Sequence, residues 1–85
     1  MTFYTWMMRN YKGTHCPAGD LAGDMYWDKD RFPRNTGTKY SAAYATILNY
    51  LQANHACEDC LSVFMECWAD YVAAEKTRQK KVNKT

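Results

Sequence analysis

The chain has 85 residues, of which 47% are hydrophobic, 15% aromatic and 24% charged. That length holds one hydrophobic core, and the composition excludes collagen-like, low-complexity and intrinsically disordered proteins. The net charge of +2 conceals a division: residues 1–75 carry six basic and nine acidic side chains, whereas Lys76, Arg78, Lys80, Lys81 and Lys84 bring +5 to the last ten residues without an acid.

Helical spacing accounts for most of the apolar residues. Phe3, Trp6, Met7 and Tyr11 place a first helix over about Thr2 to Tyr11, with Gly13 helping to stop it. A second helix starts near Pro17 to Asp20, where proline suits a first turn and the carboxylate suits the dipole. Leu21, Met25 and Trp27 are expected on its inner side, and Phe32-Pro33 at its end. Residues 34–39 read as a loop. A third helix follows from Lys39 or Tyr40 to Ala53, with Thr38 or Ser41 as cap and Tyr40, Tyr44, Ile47, Leu48 and Leu51 as its apolar stripe. After a hinge at Asn54-His55, the longest helix covers about Cys57 to Arg78 through Leu61, Phe64, Trp68 and Tyr71. Without a period-two segment, the expected fold is all-α: a small bundle of four to five helices with a long C-terminal helix. The domain is expected over residues 1–78, followed by a basic, frayed tail over 79–85.

These residues carry a resemblance. Phe3-Tyr4 and Arg9, then Gly19-Asp20-Leu21-Ala22 with Asp24, Asp28, Phe32-Pro33, Tyr50-Leu51, Phe64, Trp68 and Tyr71 resemble the YozE-like family of small bacterial proteins, over roughly residues 3 to 75. The cysteine cluster and the long basic tail depart from that pattern. The resemblance implies a compact bundle with a sterile-alpha-motif-like (SAM-like) fold, found mainly in Gram-positive bacteria and their phages. It brings no catalytic residues, and folds of this kind elsewhere bind proteins, self-associate or bind RNA.

No stretch reaches the ~18–20 apolar residues that span a bilayer, and the N-terminus lacks the basic start and apolar centre of a signal peptide. A cytoplasmic, monomeric protein with free thiols is therefore expected. Among chemical motifs, His55-Ala56-Cys57-Glu58-Asp59-Cys60 is the most suggestive. Zinc would take a fourth ligand from His15, Cys16 or Cys67, but a single Cys-x-x-Cys is not the paired set of a zinc module. The thioredoxin setting needs a preceding strand, and Glu58 and Asp59 oppose thiolate formation. The sequence reading therefore places Cys60 and Cys67 on the inner side of the last helix and expects neither metal nor cofactor. His15 and His55 lie in no nucleophile motif, and the four glycines form no phosphate loop, so an enzyme is not expected.

Two binding surfaces follow. Asp20, Asp24 and Asp28 repeat at four-residue steps, Asp30 extends the acidic set, and Tyr26 and Trp27 lie among them. Aromatic residues among acids suit a protein partner, and these six residues are the expected partner-binding site. The alternative is nucleic acid held by Lys76, Arg78, Lys80, Lys81 and Lys84, with exposed aromatics stacking on bases.

Overall fold

The computed structural model describes residues 1–54 and 56–83, with side chains described as far as Thr77. It contains four helices, α1 (Phe3–Tyr11), α2 (Pro17–Trp27), α3 (Tyr40–Ala53) and α4 (Glu58–Asn83), and no strand among the described residues. The expected all-α bundle with a long last helix is the observed fold.

Local chemistry sets the starts. Thr2 caps α1 by accepting from the Thr5 amide at 3.3 Å. Cysteine thiols perform the same task twice: Cys16 Sγ accepts from the Gly19 amide at 3.3 Å, and Cys57 Sγ from the Cys60 amide at 3.4 Å. Pro17 occupies the first turn of α2, where its missing N–H costs nothing. Gly13, at φ +87°, breaks the chain away from α1. Gly19 is required by a close approach: a Cβ there would lie 2.1 Å from the Thr14 carbonyl oxygen.

The boundaries differ from expectation in three places. Helix α2 ends at Trp27, five residues before Phe32. The Asp28 carbonyl accepts from the amides of both Arg31 and Phe32 at 2.9 Å, folding the chain back so that Phe32 enters the core against Tyr4 and Tyr50. Neither Thr38 nor Ser41 caps α3; Lys39 holds the cap position without a side-chain bond, and the Thr38 hydroxyl turns to the Thr36 carbonyl. Helix α4 continues past Arg78 to Asn83. His55, half of the expected hinge, lies outside the described residues, as do Lys84 and Thr85 of the tail.

Helix α4 packs against the three others. Its Phe64, Trp68 and Tyr71 surround Phe3, with ring centroids 5.6, 5.1 and 5.4 Å away. Met7, Leu21, Met25, Ile47 and Leu51 close the core. Most of the aromatic surplus sits at its rim: Tyr4, Trp6, Tyr11, Tyr40, Tyr44 and Tyr50 are half-buried and packed against it. Asn35 joins the distant pieces of chain. Its Oδ1 accepts from the Phe3 amide at 2.9 Å, and its Nδ2 donates to Tyr71 Oη at 3.0 Å. Tyr71 in turn donates to the Met1 carbonyl, and the Met1 ammonium pairs with Glu75 at 3.3 Å.

Candidate interaction surface

Helix α2 turns its residues about 100° at each step, and this divides the six expected partner-binding residues. Leu21, Ala22 and Met25 face the core. Asp20, Asp24 and Trp27 follow one another at steps of four and three, so they share the outer face. All three are exposed, and Trp27 is 89% exposed, against its expected place on the inner side of the helix and in keeping with its expected place at a surface. The correction is geometric: six residues separate Trp27 from Leu21, which places it nearly opposite the midpoint of the buried arc.

Tyr26 leaves that group. It lies on the α1 side of α2, 40% exposed, with Lys12 Nζ 4.1 Å and Lys29 Nζ 4.9 Å from its ring centroid. Its surroundings are therefore cationic, and it does not form one patch with the acids. Asp28 is the C-cap, half-buried on the opposite flank, and Asp30 is exposed in the following turn.

Asp24 and Asp28 also line a cleft of about 430 Å³ between α2, the end of α3 and the start of α4. Leu21, Met25, Phe32, Tyr50 and Leu51 form its apolar lining, with Asn54, Cys57 and Cys60 on the far side. The Tyr50 hydroxyl oxygen is buried and has no hydrogen-bond partner among the described residues. Sequence reasoning missed this cleft. Its lining comes from four separated segments, and although Asp24 and Asp28 carried one signal and Cys57 and Cys60 another, nothing in the sequence brought the two together.

The carboxylates of Asp20, Asp24, Asp28 and Asp30 form no salt bridge among the described residues. Three of the nearby cations are held over rings, Lys12 and Lys29 by Tyr26 and Arg34 by Tyr4, the last at 3.6 Å from the ring centroid, while Arg31 beside Asp30 is exposed. Arg34 Nη1 also donates to the carbonyls of Lys29 and Phe32 at 2.9 and 2.7 Å.

The thiols are set apart by their surroundings. Burial, reinforced by Asp70 and Glu66, pushes the Cys67 thiol up to about 11. Burial also raises Cys60, helped by the charges of Cys57 and Asp24 across the cleft. Cys16 is lowered instead, first by its hydrogen bond with the Thr14 hydroxyl and then by the Gly19 amide. Among the described residues, no three His, Cys, Asp or Glu side chains are grouped to hold a metal ion.

At the other end of the molecule, Lys76 borders a shallow groove lined by Tyr40, Tyr44, Trp68 and Val72. The side chains of Arg78, Lys80, Lys81 and Lys84 lie outside the described residues. No helix of the described chain is long and apolar enough to cross a membrane.

No curated protein and no solved structure matches the chain. The pattern described as "YozE SAM-like fold" matches residues 2–73, which takes in α1, α2, α3 and the core-forming part of α4. With four helices gathered around an aromatic centre and a match over most of its length, the chain belongs to the YozE SAM-like family.

Proposed function

We propose that this domain is a non-enzymatic interaction module, acting in the cytoplasm as a monomer, that binds a partner protein through the outer face of α2. The observation that carries the reading is Trp27. An indole 89% exposed, on the same face as the Asp20 and Asp24 carboxylates that form no salt bridge among the described residues, contributes nothing to the core of the domain. Tryptophan is also the residue type that most often dominates interface energetics. Because the resemblance implies relatives in phages, the role we propose is that of a phage or mobile-element accessory factor whose partner is a host regulatory or defence protein.

The test is capture by immobilised full-length protein from nuclease-treated host lysate, with Trp27→Ala in parallel. One protein retained in stoichiometric amount by the parent and lost by the variant supports the reading. Equal retention by both overturns it.

A second reading has its own observation: Lys76, the first cation of the basic tail, borders a groove edged by Tyr40, Tyr44 and Trp68. That arrangement joins phosphate-seeking charge to stacking surface. It requires nucleic acid retained from untreated lysate, lost steeply with salt and lost when the chain ends after Glu75. A truncated protein that binds nucleic acid equally well excludes it.

A further inference from the structure

The α2 face continues into the cleft below it, because Asp24 belongs to both. The lining of the cleft specifies a chemistry. Its floor is apolar, built from Leu21, Met25, Phe32 and Leu51, which are all buried. Its acidic rim, Asp24 and Asp28, forms no salt bridge among the described residues. Of the cations near it in sequence, Lys29 and Arg34 are held over tyrosine rings, as is Lys12 from the end of α1, and Arg31 is exposed and forms no salt bridge with either carboxylate among the described residues.

An anionic group would be repelled at this rim. A purely apolar group would remove water from two carboxylates without replacing it, at a cost in free energy. A bare metal ion finds no third ligand among the described residues. What fits both surfaces is an aliphatic stem ending in a positive charge, which lays its methylenes on an apolar floor and keeps its head at the polar edge.

We propose that the cleft receives a lysine or arginine side chain of the partner protein, with its stem against Leu21, Met25 and Leu51 and its charge between Asp24 and Asp28. The inference rests on the reading of α2 as the docking face and adds the chemistry of the partner: a basic segment whose neighbouring residues cover Trp27. The same complementarity steers a basic partner to this end of the molecule.

The experiment is a titration of the isotopically labelled full-length protein, followed by amide chemical shifts, with four blocked amino acids. The N-acetyl N-methylamides of lysine and arginine are the cationic probes, that of norleucine is the uncharged analogue of lysine, and that of glutamate is the anion. The cationic probes should shift the amides of Leu21, Asp24, Asp28 and Asn54 saturably and bind about tenfold more tightly than norleucine, a difference of one decade in Kd. The double variant Asp24→Asn/Asp28→Asn should erase that preference. Asp20→Asn/Asp30→Asn, which removes the same charge outside the cleft, should change it by less than about twofold.

Norleucine binding as well as lysine, equal losses from the two double variants, or the absence of saturable shifts at these amides each overturns the proposal. Failure here and failure of the docking reading are distinguishable. A partner lost with Trp27→Ala but indifferent to Asp24→Asn/Asp28→Asn leaves the face and removes the cleft. Cationic probes seated in the cleft while Trp27→Ala keeps the partner do the reverse.

Discussion

Asn35 shows how much one polar side chain can hold at the residue scale. It lies in the loop before α3, is 9% exposed, and bonds both Phe3 at the start of α1 and Tyr71 on α4. Asn35→Ala strands the Phe3 amide and takes a donor from Tyr71, and each buried group left unpaired costs about 1–3 kcal/mol. We expect a clear loss of stability, read as a lower urea midpoint. The glycines of α2 make a paired test. Gly19→Ala must collide with the Thr14 carbonyl and destabilise, whereas a Cβ at Gly23 meets nothing within 4 Å. Gly23→Ala should therefore stabilise by about 0.5–1 kcal/mol, the ordinary helix preference for alanine. Cys67 adds a pH dependence. Its folded thiol is raised from the usual 9.0 to about 11, so within that window the unfolded chain releases a proton that the folded chain keeps. Stability is fully present below pH 9.0 and falls as the pH rises towards 11. Burial raises Tyr11 and Tyr71 as well, which adds loss of the same sign. Urea midpoints taken across this range should fall, and Cys67→Ala, itself destabilising, should flatten the slope.

At the scale of the element, α2 carries the tension between stability and binding. Asp20 and Asp24 stand four residues apart on one face, an arrangement that destabilises a helix by about 0.2–0.5 kcal/mol. Asp24 lies in the second turn, beyond the reach of the N-terminal dipole. Asp24→Asn should therefore raise the melting temperature slightly while weakening partner binding. Trp27→Ala should leave stability within about 0.5 kcal/mol, because an exposed side chain contributes little to the core, and any loss of binding is then read without a folding artefact. Helix α4 divides along its length. Its first turn holds Glu58 and Asp59 near the positive dipole end, its middle supplies Phe64, Cys67, Trp68 and Tyr71 to the core, and its last part carries the basic residues.

On the scale of the whole molecule, charge is segregated. The acidic α2 face belongs to the folded body, and the basic run follows the last core residue of α4, Tyr71, with Val72 packed beside it. Ending the chain after Glu75 keeps the pairing of that residue with Met1 and should cost no more than about 1 kcal/mol, the value of favourable charges at a helix end. Calorimetry of the truncated protein checks this. A much larger loss would show that the tail takes part in the fold.

The sequence by itself determined the four helices, the inward stripes of α1, α3 and α4, and family membership. Each of these depends on the spacing of residues close together in the chain, as with Phe3 and Met7 or Phe64, Cys67, Trp68 and Tyr71. The acids of α2 and the inner placement of Cys67 were legible for the same reason. Tertiary structure decided where the chain turned back and what met across it. Phe32 entered the core because two amides bonded the Asp28 carbonyl. The helical turn parts Tyr26 from the acids, but its cationic surroundings arise only because Lys12, fourteen residues earlier in the sequence, came to lie over its ring. The cleft joins Leu21, Phe32, Tyr50 and Cys57, which no local period relates. Helical periodicity reports which residues share a face, whereas a cleft exists only once separate faces have packed together.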